Sequence, residues 1–572
     1  MYFQPSSNER TYDAIVIGSG ISGGFAAMEL CKKGYKTLML ERGRMVKHGD
    51  YPTANNDLWD FEYRNRVPRE EIEAHYNKQN RLSWWVNQDN LHWINKDSEY
   101  GYDEVERFDW IRGHHVGGRS IMWGRHCYRW SDIDFEANAK EGWAVDWPIR
   151  YRDIEPWYDY VETFVGVSGQ AEGLKQVPDG KFLPPFPLNC AEQYMREKIQ
   201  AVYPHRLLTP GRTANLSEYN PEVHLGSRGK CQARNRCWRG CPYGAYFSSV
   251  SATIPVAEST GNLTIRPNSI VHTIVFDDKT QRATGVRLKD AITGEELEFT
   301  CRIIFCNAST VGSTAVLLNS RSERFPNGLG NDSGELGHNM MDHHYGMGAS
   351  GELPDTPALA DKYYKGRKPN GGFYIPRFRN IDKATEVKDY RRGFGYQGGA
   401  SRGLNEDAPP GPALKNALTT PGKWQVRMTC FGELLPYHEN KMSLNFDKLD
   451  KSGQPTIVFD AKLRENEHAL RRDGVTCAEE MLEAAGCKNI SSYNVETAPG
   501  ACIHEMGTAR MGRDPKTSVL NKWNQVHAVQ NVFVTDGSCM TSAGTQNPSI
   551  TYMALTARAV DYMHKQVNEG VL

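Results

Sequence analysis

Thr11-Tyr-Asp-Ala-Ile-Val-Ile-Gly18-Ser-Gly20-Ile-Ser-Gly23-Gly24, with its continuation Leu38-Met-Leu-Glu41-Arg-Gly43, is the stretch that decides the fold. Ala14 to Ile17 is a short apolar, β-branched run, as expected of a strand buried on both faces. Gly18, Gly20 and Gly23 fit G-x-G-x-x-G at the entry to a helix expected over Ser22 to Lys33. In that pattern the first glycine makes the tight turn, the second lets backbone approach a pyrophosphate, and the third lets helix pack close to strand. The helix N-terminus offers free N–H groups and a positive dipole end to the anion. A second strand, Thr37 to Leu40, ends in Glu41, where a carboxylate can accept hydrogen bonds from a ribose. A plain strand–helix turn would not need that acid, so the stretch predicts a dinucleotide site.

Bulk properties narrow the class further. The 572 residues suffice for two substantial cores. Lys plus Arg number 68 against 69 Asp plus Glu, which argues against a nucleic-acid binder or a polybasic membrane surface. No apolar run approaches membrane-span length, and Met1 to Arg10 has no signal-type apolar segment, so the chain is expected to carry no export signal of its own. Thirteen cysteines, scattered but for one cluster, do not make a disulfide framework. No internal repeat is evident.

Along the chain the helix–strand rhythm stops after Gly43. Residues 50–105 are polar and aromatic, and Trp84, Trp85, His92 and Trp93 read as packing for a long excursion rather than as a sugar platform. In Arg112-Gly-His-His-Val-Gly117-Gly118-Arg-Ser120-Ile-Met122, the paired glycines beside a small serine suggest backbone lying against a flat ligand. Helical periodicity runs over Asp146 to Val165, Ala191 to Val202 and Glu465 to Ala485, with a further helix around Ser248 to Ser259. Strands are expected over Leu263–Arg266, Ile270–Phe276, Ala283–Lys289, Leu297–Cys301 and Ile303–Cys306. The last runs into Asn307-Ala-Ser-Thr-Val-Gly312, another strand–glycine–helix junction. Residues 350–425 read as a long mobile excursion over a site. Strands return at Gln425–Leu434, Lys441–Phe446 and Thr456–Phe459.

The N-terminal glycine pattern, the Val116-Gly-Gly-Arg-Ser loop and the Asn307 junction are joined near the C-terminus by His504-Glu-Met-Gly-Thr-Ala-Arg-Met-Gly512, Val532-Phe-Val-Thr-Asp536-Gly537 and Asn547-Pro-Ser-Ile-Thr551. Together these segments resemble the glucose–methanol–choline family of flavin oxidoreductases over essentially the whole chain. The resemblance implies an α/β fold (α+β overall): a Rossmann-like FAD-binding domain with a sheet-and-helix substrate domain. The first would be assembled from residues 1–45, 106–135, 225–345 and 495–572, the second from 46–105, 136–224 and 346–494. It implies FAD, with Gly18, Gly20, Gly23 and Glu41 on the ADP half, Val271 near adenine, Asp536 and Gly537 on the pyrophosphate and ribityl side, and Gly117, Gly118 and Ser120 near the flavin. Members with covalent flavin carry a histidine where this chain has Met122, so FAD is expected to be held without a bond. His504 and Asn547 match the family's catalytic pair: an imidazole takes the alcohol proton while the carbinol hydrogen leaves as hydride.

Cys231-Gln-Ala-Arg-Asn-Arg-Cys237-Trp-Arg-Gly-Cys241-Pro242 sets three cysteines at C-x5-C-x3-C before a proline. This resembles iron–sulfur ligation; three thiolates favour a 3Fe–4S cluster, with Arg234, Arg236 and Arg239 offsetting its charge. A zinc site lacking its fourth ligand, or a disulfide plus a free thiol, are the other readings of the spacing. The same spacing occurs in the catalytic subunits of bacterial FAD-dependent glucose, glucoside and gluconate dehydrogenases, which the chain resembles most. That resemblance implies a sugar dehydrogenase, with C3 of a glucoside as first choice. Electrons would pass through the cluster to a cytochrome c acceptor, and a small partner subunit carrying the export signal would bring the chain to the periplasm. A chain without such a partner is expected in the cytoplasm. Oxidation at C1 of glucose or C2 of gluconate is the near alternative; gluconate calls for a cationic anchor, and Arg402 or Arg427 could serve. An oxygen-using pyranose or C-glycoside oxidase is the alternative from another class.

Overall fold

A computed structural model describes residues 10–82, 84–360, 371–405 and 408–572. Met1 to Glu9, and residues 361–370 and 406–407 of the expected excursion, lie outside the described residues.

The opening stretch folds as its pattern dictates. Strand Thr11–Ile17 leads into helix Ile21–Lys32 and back to strand Thr37–Leu40. The two strands are parallel neighbours, Ile15 opposite Leu38, and Ile15 also stands opposite Ile304 on the other side. Flanked by strands on both edges and covered on its faces, this run is fully buried from Ala14 to Ile17, which is why it is apolar without alternation. The sheet has eight described strands; its parallel part runs Val529–Phe533, Glu296–Cys306, Thr11–Ile17, Thr37–Leu40, Leu263–Arg266. Glu296–Cys306 is one strand, not the expected two. Its first half pairs with the antiparallel hairpin Ser269–Asp277/Arg282–Asp290 and its second half with Val529–Phe533.

A six-stranded antiparallel sheet forms the other wall. Its order is Lys488–Asn494, His343–Glu352, Pro421–Glu433, Phe394–Leu404, Phe373–Ile375, Thr209–Pro210. Helix Glu465–Ala484 covers one face of it with Leu470, Cys477, Met481 and Leu482, all buried. Four such side chains supply roughly 1.5–3 kcal/mol each for the larger apolar ones. Within the 350–425 stretch, read from the sequence as a mobile excursion, Phe373–Ile375 and Phe394–Leu404 are strands of this sheet, and both ends of the stretch belong to two more. Glycines hid it: a Cβ on Gly398 would lie 2.4 Å from the Phe373 ring and 2.5 Å from the Arg427 carbonyl oxygen. Such positions stay bare to let strands and rings close up, and they erase the apolar alternation that marks a strand.

Two helix starts also move. The helix expected from Asp146 begins at Tyr151, after Pro148, and the one expected around Ser248 begins at Thr253. Helix Ser549–Asn568 packs between Ile21–Lys32 and Tyr151–Val165.

Candidate active site

One continuous cavity of about 860 Å³ runs from the glycine turn to the antiparallel sheet. At its first end the three glycines differ in a telling way. A Cβ on Gly18 would stand 2.4 Å from the Asn307 carbonyl oxygen, and one on Gly23 2.0 Å from that of Gly18; a Cβ on Gly20 would meet nothing within 4 Å. Gly18 (φ +95°) and Gly23 are thus required by the protein's own packing, while Gly20 opens onto the cavity. Glu41 lines it too, but its buried carboxylate already accepts from Ser19 Oγ (2.5 Å) and the Gly43 N–H (2.9 Å). Burial pushes its pKa up, against those hydrogen bonds.

Val271, Gly118, Ser120, Asp536 and Gly537 line the same cavity; Gly117 stands just behind, donating its N–H to Ser19 Oγ at 3.0 Å. Ser120 Oγ donates to the Gly117 carbonyl at 2.5 Å and accepts from the Ser249 N–H at 3.0 Å, so it shapes the loop. Asp536 accepts from Ser313 Oγ (2.6 Å) and Ser538 Oγ (2.6 Å). Buried Asn307 Nδ2 and Tyr552 OH have no protein partner and face this space, as a cradle for a polar ligand requires. Met122 is buried in the wall, with no residue capable of a flavin bond in its place. Trp84 and Trp85 also line the cavity, whereas Trp93 is core, so the aromatic cluster is only partly packing.

At the other end the structure brings His504 and Asn547 together, Nε2 to Nδ2 at 3.4 Å. Two residues with no motif of their own complete the arrangement. His343, at the start of its strand, sets Nδ1 2.8 Å from His504 Nδ1. Its Nε2 lies 3.1 Å from both the Ala543 and Gly544 carbonyl oxygens. Carbonyls only accept, so His343 Nε2 carries hydrogen and, in the neutral ring, Nδ1 accepts. His504 must then donate from Nδ1, which leaves a lone pair on Nε2 facing the cavity. Burial first, then His343, Arg119 and His126, hold His504 well below the usual imidazole range, so the ring is neutral. Gln397 Nε2 donates to Asn547 Oδ1 at 2.6 Å, turning the Asn547 NH₂ toward His504.

Asp342 fastens the pieces. Its carboxylate accepts the N–H groups of His343 (2.8 Å), His504 (3.0 Å), Cys502 (3.1 Å) and Gly500 (2.8 Å), tying the strand start to the loop that bears the base. Beside it Arg119 holds Glu505 bidentately at 2.8 and 2.9 Å. The only sequence hint of His343 is an Asp-His-His run, and Gln397 sits in a glycine-rich stretch with no pattern to flag it.

The cavity wall also carries Gln397, Ser401, Thr429 and Tyr345, together with the charged Arg42, Arg112, Arg119, Arg125 and Glu192. Arg402 and Arg427 are not part of that wall. Arg402 donates to the Gly422 carbonyl (2.5 Å), and Arg427 stacks over the Tyr493 ring.

Cys231, Cys237 and Cys241 are free, half-buried thiols of one loop, and Trp238 of that loop reaches the cavity wall against Trp85. Burial pushes Cys231 up to about 11, against the Ala233 N–H at 3.4 Å. Arg234, Arg236 and Arg239 are already engaged by the backbone of 54–56 and by Asn55, Asp57 and Asp89; they tie the loop down. Buried Arg125, over the Trp238 ring, faces Cys231 from within, and buried Arg228 faces Cys241.

A glycine turn open to a ligand and a lone-pair histidine in one cavity agree with the sequence comparisons. GMC oxidoreductase models match residues 12–345 and 436–556. The chain belongs to the GMC oxidoreductase family. Its cofactor is accordingly FAD, and its chemistry is oxidation of alcohol or sugar hydroxyls. The chain is 27% identical to 2-methyl-1,2-propanediol dehydrogenase of Mycolicibacterium austroafricanum, over 98% of this chain and 96% of that one. It is 26% identical to the fructose dehydrogenase large subunit of Gluconobacter japonicus, over 99% and 100%. The structure of pyridoxine 4-oxidase from Mesorbium loti superposes with TM-score 0.59 at 15% identity, covering 97% of this chain and 99% of that one, a likeness of fold.

Proposed function

We propose that the chain is a sugar dehydrogenase that oxidises a ring hydroxyl of a neutral glycoside, C3 of a glucoside first. The observation that carries this is the His504 lone pair beside the Asn547 and Gln397 amides, with neither Arg402 nor Arg427 in the cavity wall. FAD, when bound, supplies the hydride acceptor. The chain's residues do the rest. Gln397 aligns Asn547, whose NH₂ donates to the substrate oxygen and fixes it. His504 Nε2 takes the hydroxyl proton as the carbinol hydrogen leaves. His343 receives the His504 Nδ1–H bond throughout, so the positive charge that develops on His504 keeps an acceptor.

The electron exit on this reading is the cysteine loop. Three free thiols, an N–H aimed at Cys231 and a buried arginine alongside suit a 3Fe–4S cluster held by Cys231, Cys237 and Cys241. The name of one relative, a large subunit, supports a partner subunit; on this reading that partner carries the export signal, the chain works in the periplasm, and a cytochrome c is the acceptor. Product analysis by NMR after turnover on a β-glucoside, glucose and gluconate tests the substrate. His504→Ala should lower turnover by roughly 10²–10⁴ with FAD retained; near-normal turnover in that variant would sink the mechanism.

A further inference from the structure

His343, His504 and Cys502 offer ligand atoms that all lie within 4.8 Å of one another; His504 Nδ1 is 2.8 Å from His343 Nδ1 and 3.6 Å from Cys502 Sγ. Nothing in the proton route uses Cys502. A tetrahedral zinc ion with Zn–N of about 2.05 Å and Zn–S of about 2.3 Å spaces its ligand atoms about 3.3 Å apart for N and N and about 3.5 Å for N and S. The thiol–imidazole spacing already matches, and the imidazole pair needs to open by about half an ångström once the proton between them is gone. Cys502 and His504 line the cavity, which gives a cation its way in and leaves a fourth position for water. No carboxylate oxygen belongs to the trio, so Mg²⁺ and Ca²⁺ find no ligands of their kind there.

We infer that these three side chains form a site for a zinc-like, thiophilic divalent cation, and that occupying it switches the enzyme off. The inhibitory half rests on His504 being the base. The protons balance: Cys502 loses one to solvent as thiolate, and the His504 proton moves from Nδ1 to Nε2. His504 then presents an N–H to the cavity where it had a lone pair. It can no longer accept the substrate proton.

The test uses FAD-loaded enzyme and chloride salts of Zn²⁺, Cd²⁺ and Mg²⁺. Expected results are reversible loss of turnover with Zn²⁺ and Cd²⁺, recovery on adding EDTA, and no effect of Mg²⁺. Cd²⁺ should also raise an ultraviolet thiolate-to-cadmium charge-transfer band. In Cys502→Ala that part of the band should vanish and the inhibitory concentration rise at least tenfold. A band or an inhibition identical in wild type and Cys502→Ala overturns the site, assigning the effect to Cys231, Cys237 and Cys241 or another thiol. A Cys502-dependent band with undiminished turnover upholds the site and instead overturns the reading of His504 as base.

Discussion

His343 and His504 meet Nδ1 to Nδ1 at 2.8 Å, and the contact has a single polarity because His343 Nε2 is committed to the Ala543 and Gly544 carbonyls. The tautomer of the base is therefore fixed by a residue that never touches substrate. Removing the acceptor frees His504 to hold its proton on the wrong nitrogen, the fault that makes wrong-tautomer variants of histidine bases slow. His343→Leu should slow flavin reduction by sugar on the order of 10²-fold or more, with FAD content unchanged. His343→Gln, whose amide oxygen can still accept, should recover part of the loss. Equal rates for the Leu and Gln variants in rapid-mixing experiments would show that His343 merely fills space.

The glycine turn gives a pair of variants with opposite expected failures. Gly23→Ala drives a methyl to 2.0 Å from the Gly18 carbonyl oxygen, which backbone cannot yield without opening the helix–strand contact. The cost should appear as a lower melting temperature or loss of folded protein. Gly20→Ala meets no atom within 4 Å at an unstrained φ of −69°, so the apoprotein should melt as wild type does. Its methyl instead intrudes where a pyrophosphate would lie, and FAD affinity should fall. Calorimetry of the apoproteins and flavin titration separate the two; normal FAD binding by Gly20→Ala contradicts the assignment of that opening.

What could be read from residues alone follows from how local each signal is. The Thr11–Gly43 unit is contiguous, and its strand, glycines and acid lie together in the chain and in the fold. His504 and Asn547 lie 43 positions apart, yet each stands in a segment with a resemblance of its own. His343 and Gln397 carry no such segment. Their roles exist only because the antiparallel sheet delivers them to the loop at Asp342 and to the Asn547 turn. The same sheet escaped notice over 373–404 because glycines occupy the positions whose apolar alternation would have revealed strands.

Asp134 offers a check on the electrostatics behind the Asn547 turn, which it meets through Gln546. It is buried and accepts the Ser131 N–H (2.9 Å) and Gln546 Nε2 (3.2 Å) on one oxygen, while Oδ1 has no partner. Burial first raises its pKa from 3.8 to about 6. A raised carboxyl binds its proton more tightly folded than unfolded, so its contribution is complete below pH 4 and is lost as pH rises toward 6. Two pH units correspond to about 3 kcal/mol. Asp134→Asn can keep an oxygen toward Ser131 and Gln546 and place its NH₂ at the unpartnered position. The variant should lose less stability than wild type between pH 4 and pH 7 in urea titrations; parallel curves would mean that Asp134 is ionised throughout.

The cysteine loop decides between a relay and a structural knot. If Cys231, Cys237 and Cys241 hold a 3Fe–4S cluster, the oxidised protein is brown and gives an EPR signal near g = 2, about the free-electron value. Cys237→Ser should abolish that signal. Proton removal at His504 and hydride departure do not involve the cysteines, so bleaching of the flavin by sugar should keep its rate in the variant. Reoxidation through a cytochrome c should stall, because the electrons have lost their way out. A knot predicts the reverse pattern: lower stability, with both half-reactions falling together. Arg234, Arg236 and Arg239 sharpen the distinction, since their bonds to residues 54–57 and Asp89 do not depend on iron and should hold the loop in place when Cys237 is changed. A folded, iron-free variant that still delivers electrons to cytochrome at the wild-type rate would remove the relay and leave an oxygen-using oxidase as the better account.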